Sequence, residues 1–141
     1  MKKIFPYRIT ILLLSVVLLA TSVAAAPAPQ PPNVTFTLVQ GLPAVMQVGE
    51  SYTVEIQMTS DMPFAAATAL PTAYYPGRYV VAAQGDHDRQ GTTATFHVTF
   101  TAKGSTSQLP GGVAPVAVVA GAHYQGGFVA SQQFDFLVAV P

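Results

Sequence analysis

The sequence contains no cysteine and no tryptophan, and only 9% of its 141 residues are charged. The absence of cysteine excludes a disulfide framework, a thiolate metal site, a cysteine nucleophile and a lipid-modified cysteine at a processing site. Three of the six basic residues, Lys2, Lys3 and Arg8, precede residue 9. After them, three basic residues stand against six acidic ones, which gives this part a net charge of −3. The basic surface that a nucleic-acid-binding protein needs is therefore lacking.

Motifs that would indicate catalysis are also missing. The chain contains neither the G-x-S-x-G of a nucleophile elbow nor a G-x-G-x-x-G nucleotide loop. In Lys103–Thr106 the lysine precedes the glycine, which is the wrong order for a phosphate loop. We therefore expect neither an enzyme nor a bound cofactor. A small hydrolase built on Glu55 and His97 is one alternative, and placement of these residues on separate faces would disfavour it.

The first residues have the order of a secretory signal peptide. A basic start is followed by an apolar stretch, Ile9–Ala20, and then by small residues. Ser22 and Ala24 suit cleavage before Ala25, and a cut one residue later is also compatible. We expect residues 1–24 to be a helical signal peptide, so that the mature chain is secreted or held in the cell envelope without a membrane span. An uncleaved anchor is the alternative, because the apolar segment approaches the roughly 18 to 20 residues that cross a bilayer.

The following segment, residues 25–32, is rich in proline and predicts an extended spacer. Residues 33–141 are expected to form one domain, in which apolar residues alternate with a period of two, as in β-strands. In the last apolar stripe, which begins at Phe134, the positions between the inward residues include Leu137 and Ala139. This predicts that the outer face of that strand is covered too. Three inward stripes are predicted: Tyr52, Val54, Ile56 and Met58; Ala94, Phe96, Val98 and Phe100; Phe134, Phe136, Val138 and Val140.

Further segments complete an all-β pattern. Val34–Val39 and Ala44–Val48 predict short opening strands, and Val116–Tyr124 is apolar at both parities, which indicates a central strand. The alanine-rich stretch Ala65–Ala69 lies between prolines and predicts a strand, followed by another at Arg78–Ala83. Seven or eight short strands in a domain of this size are typical of an antiparallel β-sandwich.

Three of these stretches, Val45–Ile56, Thr95–Ala102 and Phe134–Val140, resemble the immunoglobulin-like and fibronectin type III-like β-sandwich domains of bacterial exported proteins. In such domains a Val-Gly-Glu-Ser-Tyr-Thr-Val stretch, here Val48–Val54, turns the chain from the first strand into the second. The resemblance implies an immunoglobulin-like sandwich with a role in display, spacing or adhesion. It transfers no catalytic residue.

The best candidate binding patch is aromatic. Tyr74, Tyr75, Arg78 and Tyr79 are close in sequence, in a predicted turn. Exposed tyrosines beside an arginine offer a flat amphipathic surface to a sugar ring or a partner peptide, so the expected partner is a protein or a glycan. The alternative is structural: tyrosines near strand ends also pack inward and bond their hydroxyls to nearby backbone.

The densest polar cluster predicts a different site. Asp86, His87 and Asp88 could supply oxygen and nitrogen ligands to copper or another divalent cation. The competing interpretation is a solvated hairpin loop, in which aspartate and glycine are favoured. His97 and His123 could join a metal site only if the fold brings them together.

Methionine sulfur is a further candidate copper ligand. Met46 and Met58 occupy inward positions, which favours a role in the core, whereas Met62 lies in a predicted turn and is free to be exposed.

The sequence thus predicts an exported, non-enzymatic β-sandwich module for interaction or structural display at or outside the cell envelope. An extracytoplasmic metal-binding protein is the alternative. Few charges also mean little protection against pairing of strand edges, so the oligomeric state stays open.

Overall fold

The computed structural model describes residues 26–73, 75, 77–83 and 91–141, together with the backbone of residues 87 and 88. By internal contacts the chain divides into two units, Met1–Gln30 and Pro31–Pro141. The predicted signal peptide lies outside the described residues, and residues 26–33 have no regular secondary structure. Within the described part, no helix combines the length and the apolar character that a membrane crossing requires.

The second unit is built from β-strands, and every pair of named strands is antiparallel. A short 3-10 turn at Pro110–Gly112 precedes β6, and no α-helix occurs among the described residues. The all-β prediction is therefore confirmed. The strands are β1 (Val34–Gln40), β2 (Ser51–Ala73), β3 (Val80–Ala82), β4 (His87–Asp88), β5 (Gly91–Ala102), β6 (Ala114–Tyr124) and β7 (Val129–Val138).

The longest strand, β2, has different partners along its two halves. Its first half pairs with β1 on one edge and with β5 on the other, whereas its second half pairs with β6 and β4. The first half thus gives the order β3-β5-β2-β1, and the second gives β4-β2-β6-β7. The alanine-rich segment lies in this second half as a strand, as predicted, although the sequence did not predict that one strand would run unbroken from Ser51 to Ala73.

A large bulge separates the two halves. β2 places four residues, Ser60–Pro63, between its pairings with Thr93 and Gly91, where β5 has only Thr92. Such extra residues bend a strand and increase its twist. Gly91 has a φ of +145°, which side-chain-bearing residues rarely adopt, and the Phe64 ring lies 3.5 Å from where a Cβ would stand. Glycine is therefore the residue that suits this corner.

The same bulge anchors the start of β1. The Asp61 carboxylate accepts the backbone N–H of Asn33 at 2.8 Å and the Asn33 side-chain amide at 2.7 Å. The backbone N–H of Asp61 in turn donates to the carbonyl of Asn33 at 3.2 Å. Because the contact joins residues far apart in sequence, it ties the start of β1 to the bulge of β2.

One hydrophobic core contains the residues that alternation placed inward. The stripes of β2 and β5 are buried except for Tyr52, which is partly buried, and the two methionines predicted for the core, Met46 and Met58, are fully enclosed. Met62 is exposed, as predicted. β6 lies between β2 and β7, which confirms the central position inferred from its apolar residues at both parities. The bulkiest fully buried side chains are Phe64, Phe96 and Phe100.

Two local predictions are wrong. Ala44–Val48 is not a strand: it forms a single parallel bridge between Val45 and Ala139, because a turn with Gly49 at a φ of +92° redirects the chain immediately afterwards. The outer face of β7 is not covered either, since Leu137 is 63% exposed. β7 is the last strand of its sheet, and no described element packs over that side chain.

Candidate functional site

The predicted aromatic patch folds into a turn between β2 and β3. The backbone N–H of Arg78 donates to the carbonyl of Tyr75 at 3.3 Å, and Gly77 has a φ of +78° that suits glycine at this point. Tyr74 lies outside the described residues. Tyr79 is held from the other side, because the N–H of Lys103 donates to its carbonyl at 2.7 Å. The turn is thus fastened to the loop that follows β5.

The side chains of this turn contact each other. The rings of Tyr75 and Tyr79 meet edge to face, with centroids 5.6 Å apart and planes at 86°. The guanidinium carbon of Arg78 lies 5.5 Å from the centroid of Tyr79, within cation–π range. Tyr79 is partly buried and packs against the core, whereas Tyr75 is 39% exposed. The turn therefore presents Tyr75 and Arg78 to solvent and uses Tyr79 in part as a support, and its role in binding stays a prediction.

The structure describes the candidate metal ligands only in part. Asp86 lies outside the described residues, while the backbone of His87 and Asp88 forms β4, opposite Thr68 and Ala67. These two residues lie in the connection between β3 and β5, and their backbone pairs with β2 where β2 continues past the end of β5.

The other two histidines lie opposite different halves of β2. His97 on β5 faces Glu55, and His123 on β6 faces Ala66. Within the part of the chain that the structure describes, no group of three histidine, aspartate or glutamate side chains is arranged to hold a metal ion.

Glu55 and His97, proposed above for a hydrolase, are cross-strand neighbours. The Nε2 of His97 lies 3.9 Å from Oε2 of Glu55, on the outward face of β2 and β5. The condition that would have disfavoured a hydrolase is thus not met. The rest of this face is a ladder of hydroxyls, with Thr53 and Thr99 joined at 2.9 Å. Both members of the ion pair are solvent-accessible, where such pairs are screened and weak, so the pair alone does not indicate a catalytic site.

The largest unexpected feature lies on the outer side of the second half of β2, β6 and β7. We name it the outer apolar face. Its apolar members are Leu70 of β2, Pro115, Ala117 and Val119 of β6, and Val129 and Leu137 of β7. Polar residues share the face with them, namely Thr68, Thr72, His123, Ser131, Gln133 and Asp135. Small residues on β6 lie between larger ones on its neighbours, and an open groove of about 360 Å³ runs beside Leu137, bordered by Thr72, Pro115, Ala117, Gln133 and Asp135.

This face carries exposed apolar side chains of substantial size. Leu70 is 50% exposed and Val129 is 62% exposed. The sequence held a signal for the face, because β6 is apolar at both parities. A central position in the sheet explains the apolar residues of β6 that face the core. It does not explain the apolar residues on the outward side of β6.

The sequence did not predict the buried position of Thr106, which lies in a serine-rich loop. It is the one fully buried polar side chain among the residues for which burial is described. Its hydroxyl accepts the N–H of Val140 at 2.9 Å and donates to the carbonyl of Gly112. Its own N–H donates to the carbonyl of Val140 at 2.8 Å, so this one threonine fastens the end of the chain to the loop between β5 and β6.

Comparison with protein-family models and with curated proteins finds nothing that matches this chain.

Proposed function

We propose that the chain is an exported, non-enzymatic, immunoglobulin-like β-sandwich module for interaction or display at or outside the cell envelope, and that the outer apolar face is its contact surface. The order of strand pairing supports the sandwich. The set β1-β2-β5-β3 follows the order A-B-E-D of immunoglobulin domains, and the second half of β2 with β6 and β7 follows the order C-F-G. The bulge in β2 then acts as the corner between the two sheets.

The exposure of the outer apolar face is the observation that carries the functional part of the proposal. Single exposed apolar residues are common on protein surfaces, whereas several on one face of a sheet offer a surface for contact with another molecule. Leu70 lies opposite Val119 of β6, and Leu137 lies opposite Pro115. The row between them is formed by Thr72, Ala117 and Asp135, so that a partner meets both apolar and polar side chains across three strands. Asp135 is the acidic side chain of this region, and Gln133 donates a hydrogen bond to it at 2.7 Å.

The ionisable groups support a role without catalysis. Among the described residues, Glu55 and His97 lie 3.9 Å apart on an open sheet face, and no group of metal-ligating side chains accompanies them. An open sheet face does not enclose a substrate as the concave pockets of most enzymes do. The turn around Tyr75 stays a second candidate contact, for a glycan or a peptide, because it presents an aromatic ring beside a cation.

Site-specific photo-crosslinking tests the contact surface. A benzophenone amino acid would replace Leu137 in the full chain, expressed and exported by the cell that makes it. We expect an ultraviolet-dependent adduct from this position and none from Thr95, which is exposed on β5 and serves as the matched control. Equal labelling from both positions, or none from either, would contradict the proposal. Sequencing of the exported chain tests the first part, with Ala25 or Ala26 expected at its amino terminus.

A further inference from the structure

The edge of β7 is the feature that extends the proposed function. β7 ends the sheet order and pairs with β6 along its whole length without a shift in register. Immediately after it, Ala139 turns its backbone away from β6: its N–H donates to the carbonyl of Ala44, and its carbonyl accepts the N–H of Met46, both at 2.9 Å. At the other end, the carbonyl of Phe128 accepts the N–H of Tyr124 and so points towards β6.

These two ends fix the direction of every backbone group between them. Successive residues of a strand point their N–H and C=O groups to opposite edges. The odd-numbered residues from Val129 to Leu137 therefore share the direction of Ala139 and face the outer edge. No described strand pairs with that edge. Five residues thus present unpaired N–H and C=O groups in a row, which is the template that an added strand uses.

The segment Ala44–Met46 occupies this edge beside Ala139, but β7 itself carries little of the protection that edge strands usually have. Natural edge strands are guarded by lysine, proline, bulges or short length. β7 has ten residues, a regular register and neither lysine nor proline, and Asp135 is its one charged residue. With a net charge of −3 after residue 8, long-range repulsion between copies is weak as well.

We propose that this edge pairs antiparallel with β7 of a second copy of the chain, around a two-fold axis at Gln133. This inference rests on the proposed function, because it names a second copy of the chain as the partner that contacts the outer apolar face along β7. Pairing about Gln133 sets Val129 of each copy opposite Leu137 of the other. The dimer therefore contains two symmetric Val129–Leu137 contacts, each of which covers exposed apolar side chains. An isologous contact of this kind needs only one self-complementary surface.

The single charge on β7 selects the register. With the axis at Gln133, Asp135 of each copy lies opposite Ser131 of the other, and the two carboxylates stay apart. An axis at Asp135 would set them directly opposite each other, which is unfavourable in antiparallel pairs. Each of the five residues whose backbone groups face the edge then exchanges two hydrogen bonds with the residue opposite it in the second copy. The dimer gains about ten backbone hydrogen bonds in all. The outer apolar faces of the two copies become continuous.

The absence of cysteine permits a direct test. In the exported full chain, Gln133→Cys places one thiol on each side of the two-fold axis, where opposite Cα atoms of a hydrogen-bonded pair are about 5.5 Å apart, within disulfide range. We expect mild oxidation to give a covalent dimer from Gln133→Cys and none from the matched control Thr95→Cys. An unmodified chain should sediment as a dimer under the same conditions.

Charge substitutions test the register. Ser131→Asp faces Asp135 of the second copy in two symmetric pairs, and we expect the dissociation constant to rise about 2- to 30-fold. Combining Ser131→Asp with Asp135→Lys makes both pairs attractive and should restore the dimer. Unchanged melting of the monomeric variants shows that the fold is intact. A chain that stays monomeric in sedimentation, or a dimer that Ser131→Asp does not weaken, overturns the proposal.

The photo-crosslinking experiment separates the two proposals. An adduct from Leu137 with twice the mass of the chain supports pairing with a second copy. An adduct with another protein or with a glycan leaves the contact surface in place and overturns self-pairing. If Leu137 gives no adduct at all, both proposals fail.

Discussion

Replacing Thr106 with valine should destabilise the domain strongly, although the two side chains have nearly the same shape. The hydroxyl accepts the N–H of Val140 and donates to the carbonyl of Gly112, in a position that is 1% exposed. Valine supplies a methyl group in its place and leaves the buried N–H of Val140 without its partner. An unsatisfied buried donor costs about 1–3 kcal/mol. We count the N–H of Val140 alone, since Gly112 is partly accessible and its carbonyl can turn to water.

Urea unfolding measures this loss. We expect the midpoint of Thr106→Val to fall by about 1 M with an unchanged slope, since the slope depends on the surface exposed on unfolding. Thr106→Ser keeps the hydroxyl and loses one buried methyl, which costs about 0.8 kcal/mol. Thr95→Val, on the exposed face of β5, is the matched control and should stay within about 0.5 kcal/mol of the original chain. If hydrophobic burial dominated at this site, Thr106→Val would be as stable as the original chain, and the reasoning would be refuted.

Two further predictions concern the sites proposed from the sequence. Tyr79→Ser should lower the free energy of unfolding by more than Tyr75→Ser does, because Tyr79 packs against the core and makes both the ring contact and the cation–π contact. Thermal unfolding of both variants measures the difference, and equal losses of stability would count against this reasoning. Titration of the chelator-treated chain with copper, zinc and calcium should leave its melting temperature unchanged, because the adjacent residues Asp86, His87 and Asp88 do not by themselves complete a coordination sphere. A clear rise in the melting temperature with any one ion would restore the metal-binding alternative.

Alternation in the sequence predicted the inward residues of the central strands correctly, and the reason is local. In a strand, residues two apart share a face, so a stripe such as Val54, Ile56 and Met58 identifies the buried side without knowledge of the partner strands. Met46 is buried as predicted although the strand assigned to it does not form, and Met62 is exposed in the bulge of β2, where the sequence predicted a turn. These assignments depend on neighbouring residues alone, which is why they needed no tertiary information.

The candidate sites were less predictable, because each depends on what lies across from a residue. Glu55 and His97 are far apart in sequence, and only the register between β2 and β5 brings them to 3.9 Å. Thr106 looks like an ordinary loop residue until the end of the chain folds back to meet its hydroxyl. Leu137 was assigned to a covered face on composition, although composition cannot show that β7 is the last strand of its sheet.

By itself, the sequence determined an all-β chain without cysteine chemistry, and it determined which side chains of each strand face the core, because alternation and composition act over a few residues. The tertiary structure alone decided that β2 runs through a bulge to pair with both strand sets, that Leu70, Val129 and Leu137 are exposed on one sheet face together with polar residues, and that the edge of β7 is open from Val129 to Leu137. These properties arise from pairing between distant segments. Strand order and edge exposure are set by which segments meet, and the local pattern of a segment does not record its neighbours.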